Sequence, residues 1–369
     1  MLNVIEYIEK NSLAQLVSAY NLRANFHKVY PNLVQLCYHQ LDTPKNPLTN
    51  NCRGIIIDTN TNSVVSFPFT RFGDYNYNNP KENKVDFNNC RFYEKIDGSI
   101  ITMYWYDNRW NVSTKGLPDA SGLILGIEKT YNDYFWEVFE KLNYQLPDDI
   151  EHCYIFEFKF PSDNFLVKTD KESIKLIGIR NLITFEEVDI YGDIEEKQYC
   201  PAPYYWLRCV DNEYETIEEI LNHVRSVDPL TFEGYVAVDK NFNRCKIKSP
   251  QYESINLLTD KNQKDNKRWL LDIARTNNHK NFLSLEKYKK YENEYNEIKR
   301  KLNNFKSILN DLHQSSINLT GKELGLKMKK WPELSGLVFS LKNGNVASVD
   351  DLIYNMDIKK LEKLLSNLK

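Results

Sequence analysis

The sequence predicts an α+β fold in which a strand-rich region is followed by an all-helical region. Between residues 52 and 248, short runs rich in β-branched and aromatic residues alternate with Asn, Asp, Gly and Pro, as in strands joined by turns. After Pro250 the composition changes. Glycine is absent up to Gly321, and Lys, Asn, Glu and Leu dominate. We therefore expect two domains, at residues 1–252 and 253–369.

The individual elements follow from local periodicity. The first twenty or so residues have the apolar spacing of a helix, a Pro- and Asn-rich loop is expected up to Asn51, and helices are expected at 124–143 and 216–226. Asp107-Asn108-Arg109 is expected to turn a hairpin. The predicted strands are Cys52–Asp58, Ser63–Phe67, Arg91–Lys95, Ser99–Tyr106, Trp110–Thr114, Tyr154–Phe160, Ser173–Ile179, Gly234–Val238 and Arg244–Lys248.

One long helix is expected in the second domain. Apolar residues there are spaced alternately four and three positions apart, which is the a/d pattern of a helix seam. The pattern extends over only about three heptads, so packing within the domain is favoured over a dimeric coiled coil. The residues of the seam are Tyr291, Tyr295, Ile298, Leu302, Phe305, Leu309 and Leu312.

Composition excludes several classes of protein. The chain has 369 residues, of which 41% are hydrophobic, and it contains no apolar run long enough to span a membrane. Its seven cysteines include no C-x-x-C pair, which argues against a zinc site and fits reduced thiols in a cytosol-like compartment. Residues 240–310 carry 17 basic and 8 acidic side chains within a chain of net charge −3. This segment is either a polyanion-binding surface or a solvated helix face.

The sharpest local motif is Glu94-Lys95-Ile96-Asp97-Gly98-Ser99, which lies between two predicted strands. A lysine at this place is presented at a strand end, and a hairpin turn with an exposed lysine is the alternative interpretation. Neither a G-x-x-x-x-G-K-[ST] loop nor a G-x-G-x-x-G motif occurs, so a P-loop kinase or ATPase is not expected.

The motif resembles motif I of the ATP-dependent RNA ligase 1 family, the phage-type tRNA-repair ligases of the covalent nucleotidyltransferase superfamily. Further segments resemble the other motifs of this family in the expected order. The resemblance covers about residues 30–250 and implies an adenylation domain of two antiparallel sheets that enclose ATP, with an all-helical domain after it. The segments are Asn51–Ile56, Ser113–Gly116, Phe156–Phe158, Ile174–Arg180, Glu233–Val236 and Lys246–Ser249.

The resemblance implies that Lys95 is the nucleophile that attacks the α-phosphorus of ATP. An amine attacks only when neutral, and a free lysine has a pKa of about 10.4. Lys246 and Lys248 are separated by one strand residue and so share a face. Their charges would lower the pKa of Lys95 and stabilise the charge that develops on the α-phosphate.

Three acidic residues have separate implied roles. The resemblance makes Glu157 the partner of the adenosine ribose and Glu233 a ligand of Mg²⁺ or Mn²⁺, either directly or through water. For Asp97 three roles stay open, namely shaping the turn, binding the metal or binding the ribose.

Three basic residues are candidate contacts of ATP or RNA phosphates, namely Arg53, Arg71 and Lys115. Two positions depart from the family pattern. Gly73 stands where an aromatic residue is frequent, and Phe165 stands where an arginine is frequent.

The resemblance implies an enzyme that joins the 5′-phosphate and 3′-hydroxyl ends of RNA, with nicked tRNA as the expected substrate. It also implies an end-healing kinase or phosphatase that acts upstream, no membrane partner, and a location in a bacterial or a phage- or virus-infected cytosol. The alternatives are a DNA ligase, a capping-type nucleotidyltransferase, or an RNA-binding relative without catalysis. The first two usually carry an OB-fold after the final motif, whereas helices are predicted here.

Overall fold

The computed structural model describes residues 2–40, 42–76, 83–162, 164–190, 214, 216–258, 263–275 and 282–367. The chain divides into two compact units. The first comprises Met1–His223 and Phe232–Lys248, and the second comprises Val224–Thr231 and Ser249–Lys369. The division falls after Lys248 instead of after residue 252, because the helix that begins at Pro250 packs against the helix that follows it.

The described strands of the first unit are antiparallel, as expected, but they form three sheets where two were expected. The sheet orders are β1-β2-β3-β4, β10-β9-β8-β6-β7 and β12-β11-β5. The strands are β1 Leu22–Phe26, β2 Leu33–Tyr38, β3 Arg53–Asp58, β4 Ser63–Ser66, β5 Cys90–Glu94, β6 Ser99–Tyr106, β7 Arg109–Thr114, β8 His152–Lys159, β9 Ser173–Asn181, β10 Glu187–Val188, β11 Gly234–Asp239 and β12 Arg244–Lys248.

The nine predicted strands are all present, within two residues at each end. The β6–β7 hairpin turns at Asp107 and Asn108, which both have positive φ angles, 51° and 55°, as a two-residue type I′ turn requires. The predicted loop before Asn51 was wrong, since it contains β1, β2 and a short helix. The polar residues around these strands obscured the buried run in β2.

Helices cover two of the sheets of the first unit. Those at the amino terminus, α1 (Asn3–Lys10) and α2 (Leu13–Tyr20), are separate because Ser12 caps the second one. Both pack their apolar residues against the β1–β4 sheet. The short helix before β3 is α3 (Pro47–Asn51).

The five-stranded sheet is covered by α4 (Tyr131–Lys141), through Phe135 and Val138 among others. The helix predicted from residue 124 therefore begins later, because Gly126 adopts a φ of +82° and Thr130 supplies the N-cap. The predicted helix at 216–226 is α5 (Ile217–Ser226).

The second unit is helical throughout its described residues, apart from short 3₁₀ turns and loops. The predicted seam is confirmed on α8, where Tyr295, Leu302, Phe305, Leu309 and Leu312 are buried. No described helix combines the length and apolar character needed to cross a bilayer. The helices are α6 Pro250–Leu257, α7 Gln263–Ala274, α8 Glu292–Gln314, α9 Gly321–Met328, α10 Ser335–Lys342, α11 Val349–Tyr354 and α12 Ile358–Asn367.

A buried ion triad joins the five-stranded sheet to the three-stranded sheet. Glu187 of β10 pairs with Arg180 of β9 at 2.6 Å and with Arg244 of β12 at 2.5 Å. All three side chains are only 7% exposed. One carboxylate therefore offsets two guanidinium groups that have little access to water.

Replacing Glu187 by alanine is expected to destabilise the protein strongly. The change leaves two buried arginines without their carboxylate, and breaking a buried ion pair costs about 3–5 kcal/mol of unfolding free energy. Denaturant unfolding measures the effect. Glu297→Ala, which removes the exposed Glu297–Lys301 pair of α8, should leave the midpoint unchanged. An equally small change for both variants would contradict the prediction.

Candidate active site

The first unit contains a cavity of about 330 Å³ whose walls come from both the three-stranded and the five-stranded sheet. Apolar residues such as Ile177 and Val236 form part of the wall, and charged residues converge on the remainder. Seven of the nine predicted site residues line this cavity. They are Arg53, Lys95, Lys115, Glu157, Glu233, Lys246 and Lys248.

The motif I turn carries the chain from one sheet to the other. It begins after β5 and ends at β6, and both of its ends are fixed. The backbone N–H of Lys95 donates to the carbonyl of Gly234 at 2.8 Å. A Cβ atom on Gly98 would lie 2.8 Å from the carbonyl oxygen of Phe158, so only glycine permits this approach. Lys95 is thereby presented into the cavity from a clamped turn.

The Lys95 ammonium is paired with the carboxylate of Glu233. The Nζ–Oε2 distance is 2.7 Å, and the side chain of Glu233 is only 5% exposed. Burial raises the pKa of Glu233, and attraction to Lys95 opposes that rise. The pair brings the predicted nucleophile and the predicted metal ligand into direct contact, which their sequence separation did not reveal.

The two lysines of β12 face the cavity together, as their alternation predicts. Burial lowers the pKa of Lys246 to about 8, Asp74 opposes this shift, and Lys248 adds to it. Burial and the neighbouring ammonium group thus disfavour the charged form of Lys246, while the carboxylate of Asp74 favours it.

Glu157 lies on β8 opposite Ile100 of β6 and faces the cavity. Burial raises its pKa to about 7, attraction to Lys95 opposes the rise, and repulsion from Glu233 adds to it. An acidic group whose pKa is raised by folding binds its proton more tightly in the folded state. Its contribution to stability is full below the unfolded pKa of 4.5 and is lost as pH rises through about 7.

Replacing Glu157 by glutamine is therefore expected to stabilise the protein increasingly between pH 4.5 and 7, with a constant gain above that range. Thermal unfolding of both proteins across pH 4 to 9 measures the difference. Glu172→Gln is a control of opposite sign, because backbone hydrogen bonding and contact with Lys141 lower the pKa of Glu172. Removing that carboxylate should destabilise the protein, and the loss should fade as the solution is acidified. A pH-independent effect of Glu157→Gln would contradict the assignment.

Two phenylalanines support the cations of the cavity. The guanidinium carbon of Arg53 lies 4.9 Å from the ring centroid of Phe72, and Lys246 Nζ lies 5.2 Å from the same ring. The guanidinium of Arg244 lies 4.1 Å from the ring of Phe69. These cation–π contacts help to hold the positive groups in place, in addition to the ion pairs of Arg244 with Glu187 and of Lys246 with Asp74.

Arg71 and Asp97 are not brought into the cavity. Arg71 donates to the carbonyls of Thr43 and Gln40 at 3.2 and 3.0 Å and stacks on Tyr38. The carboxylate of Asp97 accepts from the backbone N–H groups of Leu166 and Val167 at 2.7 and 2.8 Å. Of the three roles left open for Asp97, this geometry fits the structural one.

The two residues that depart from the family pattern, Phe165 and Gly73, both make contacts within the fold. The ring of Phe165 is 6% exposed and packs against Phe160 in the core of the five-stranded sheet. The carbonyl of Gly73 accepts from the N–H of Lys246 at 3.0 Å.

Two residues beside the predicted set were missed. Arg244 lines the cavity at the start of β12, and its spacing of two and four residues from Lys246 and Lys248 was a usable signal. Asp74 pairs with both of these lysines, at 3.6 and 3.1 Å. Asp74 lies in an irregular segment whose side-chain directions no sequence periodicity defines.

Comparison with known proteins gives the family. The model of a family described as RNA ligase matches residues 51–252, more than half of the chain. The chain is 25% identical over 312 residues to a putative bifunctional polynucleotide kinase/RNA ligase of Autographa californica nuclear polyhedrosis virus, covering 77% of this chain and 42% of that protein. It is 27% identical over 259 residues to an RNA ligase of Rhodothermus phage RM378, covering 54% and 58%. The chain thus spans about half the length of these curated relatives.

Solved structures of RNA ligases also match. An archaeal ATP-dependent RNA ligase aligns at 13% identity with a TM-score of 0.43, covering 73% of this chain and 68% of that one. A Naegleria gruberi RNA ligase variant with ATP and Mn aligns at 16% identity with a TM-score of 0.33, covering 50% and 56%. Since the family model takes in all the strands from β3 to β12 and ends in α6, the chain belongs to the RNA ligase family.

Proposed function

We propose that this protein is an ATP-dependent RNA ligase that joins 5′-phosphate and 3′-hydroxyl ends through a lysyl-AMP on Lys95. The observation that carries the proposal is the cavity in which Lys95, paired with Glu233, is accompanied by Lys246 and Lys248. A lysine nucleophile and two further ammonium groups in one partly apolar cleft are what adenylyl transfer requires.

In the first step, the Lys95 ammonium gives up a proton, for which the carboxylate of Glu233 at 2.7 Å is the paired acceptor. The neutral Nζ then attacks the α-phosphorus of ATP, and an N–P bond forms as the P–O bond to the leaving pyrophosphate breaks. The contact with Glu233 also orients the amine. Lys246 and Lys248 stabilise the negative charge on the α-phosphate. The apolar wall at Ile177 and Val236 suits the flat face of a purine.

The donor set of the cavity fits a divalent cation that is bound together with the nucleotide. Among the described residues, no group of three or more His, Cys, Asp or Glu side chains could hold a metal. Mg²⁺ and Mn²⁺ in such sites use one or two carboxylates plus substrate phosphates. Glu233 would supply the carboxylate, and the bound ion would neutralise charge on the phosphates.

In the second and third steps, the AMP passes from Lys95 to the 5′-phosphate of RNA, and the 3′-hydroxyl then attacks that phosphate with release of AMP. Membership of the RNA ligase family supports RNA as the acceptor. DNA ligases and capping enzymes usually carry an OB-fold after the final motif. The second unit here is helical in its described residues, which disfavours both of these alternatives. The intact lysines disfavour a relative that only binds RNA.

For the biological substrate we propose nicked tRNA, with the second unit contributing to its recognition. The segment of residues 240–310 supplies excess positive charge for a polyanion. The relative that is named as a kinase/ligase supports an end-healing kinase or phosphatase that prepares the ends for this protein. We further propose a cytoplasmic location, which fits a sequence whose seven cysteines include no C-x-x-C pair.

The direct test is incubation of the wild-type protein with ATP labelled at the α-phosphate, followed by a denaturing gel. We expect a label that survives denaturation, requires Mg²⁺ or Mn²⁺ and is removed by pyrophosphate. GTP labelled in the same position should transfer poorly. A wild-type protein that never acquires the label would overturn the whole mechanism.

The acceptor is tested separately with labelled 5′-phosphorylated strands. We expect ligation of RNA ends, weak ligation of matched DNA ends, and faster ligation of a tRNA cleaved in its anticodon loop than of an unstructured RNA of equal length. Preferential sealing of DNA would reject RNA ligation, while equal rates on the two RNAs would reject only the tRNA assignment.

A further inference from the structure

The segment Gly73–Tyr75 runs beside β12 at the edge of the three-stranded sheet. The N–H of Lys246 donates to the Gly73 carbonyl at 3.0 Å, and the N–H of Tyr75 donates to the Lys246 carbonyl at 2.7 Å. Asp74 forms a parallel bridge with Lys246 between these two bonds. The backbone of Asp74 is therefore tied to the strand that carries the two phosphate-binding lysines.

The side chain of Asp74 places one oxygen between both ammonium groups. Oδ1 lies 3.1 Å from Lys248 Nζ and 3.6 Å from Lys246 Nζ. Burial alone would raise the pKa of this carboxyl group, but the nearby charges of Lys246 and Lys248 bring it below its ordinary value. Asp74 is consequently ionised at neutral pH and supplies a full negative charge to the pair.

A carboxylate oxygen and a phosphate oxygen compete for the same ammonium group, since both are anionic hydrogen-bond acceptors. A phosphate that contacts Lys246 and Lys248 must either displace Asp74 or lie close to it. Displacement loses two ion pairs, and coexistence sets like charges side by side. Either arrangement reduces the affinity of the cavity for a phosphate relative to the same cavity without the carboxylate.

We propose that Asp74 is an internal competitor for the nucleotide phosphate, which weakens phosphate binding at Lys246 and Lys248 and so sets how readily AMP is released. The inference rests on the proposed function, because it takes the cavity to be the nucleotide site. The exposure of Asp74 supports displacement. Its side chain is 46% exposed, whereas those of Lys246 and Lys248 are 23% and 22% exposed, so the carboxylate can move into water more easily than the lysines can.

The test compares two ligands that differ only in the phosphate. Binding of AMP and of adenosine to the wild type, Asp74→Asn and Asp74→Ala is measured by calorimetry in EDTA, where no adenylyl transfer occurs. We expect both variants to bind AMP roughly fivefold more tightly than the wild type, as the loss of the two partly exposed ion pairs of Asp74 implies. Adenosine affinity should be unchanged. Thermal unfolding of each variant confirms that it is folded.

A matched control removes a carboxylate of similar exposure from another cation. Asp189 is 47% exposed and pairs with Arg91 at 3.2 Å, outside the lining of this cavity. Asp189→Asn should leave the affinities for AMP and adenosine as in the wild type.

Any other result would overturn either the inference alone or the inference together with the proposed function. Unchanged or weaker AMP binding in Asp74→Asn would show that Asp74 positions the lysines and does not compete, and would overturn the inference alone. An equal gain for adenosine would also overturn it, because the effect would then not depend on phosphate. If the wild type binds neither ligand, the proposed function fails together with the inference. In steady-state ligation, the competitor role further predicts a lower KM for ATP and stronger inhibition by added AMP.

Discussion

Replacing Lys95 by alanine or arginine is expected to abolish labelling of the protein by ATP, a loss of several orders of magnitude in adenylylation rate. Alanine removes the nucleophile. Arginine keeps a positive charge beside Glu233 but cannot lose its proton at accessible pH, so it cannot attack phosphorus. Gel-based detection of the covalent adduct measures the effect.

Two controls separate chemistry from binding and folding in this experiment. Lys141→Ala removes a lysine of α4 that pairs with Glu172 at 3.1 Å on the surface, and it should label like the wild type. Lys95→Arg should still bind adenosine in calorimetry, since the apolar wall of the cavity is intact. An alanine variant that still acquires the label would assign the nucleophile to another residue.

Replacing Gly234 by alanine is expected to lower the unfolding free energy by about 3 kcal/mol or more and to eliminate adenylylation. Gly234 has a φ of +151°, where a side chain is strained. A Cβ atom there would lie 2.2 Å from the carbonyl oxygen of Ile247 and 2.7 Å from Cα of Lys248. Both obstacles are backbone atoms, so the strand β12 must shift and carry Lys246 and Lys248 away from the cavity.

Chemical denaturation and the labelling assay measure the two effects of Gly234→Ala. Gly325 in α9 provides the matched control, because no atom lies within 4 Å of a Cβ atom built there. Gly325→Ala should raise stability by up to about 1 kcal/mol, since alanine favours the helix, and should leave labelling unchanged. A Gly234→Ala protein with wild-type stability and activity would contradict the geometry described for β11 and β12.

The sequence predicted site residues on regular strands better than those in irregular segments. Lys246 and Lys248 share a face because strand residues alternate, and that rule needs no tertiary information. The same rule extends to Arg244, whose role was missed only because the resemblance did not point to it. Glu157 and Glu233 were assigned through their motifs, but their proximity to Lys95 depends on how two sheets face each other.

Residues in irregular segments were the hardest to predict. Arg71 does not line the cavity and donates to the carbonyls of Gln40 and Thr43, so its contact with phosphate stays a prediction. Asp74, three residues later, pairs with Lys246 and Lys248. No local pattern determines which side chain of such a segment points to a cavity. The strand β2 was missed because polar residues surround its short buried run, and these favoured a loop.

The clamp on the motif I turn has a consequence for how the activated group travels. Proteins that carry a group on biotinyl or lipoyl lysine use a long flexible arm that moves between distant sites. Here the backbone N–H of Lys95 is bonded to the carbonyl of Gly234, and Gly98 lies close to the Phe158 carbonyl. In the proposed reaction, an AMP on Lys95 would therefore move only as far as one lysine side chain reaches. The ends of the RNA would then have to be brought to the adenylate.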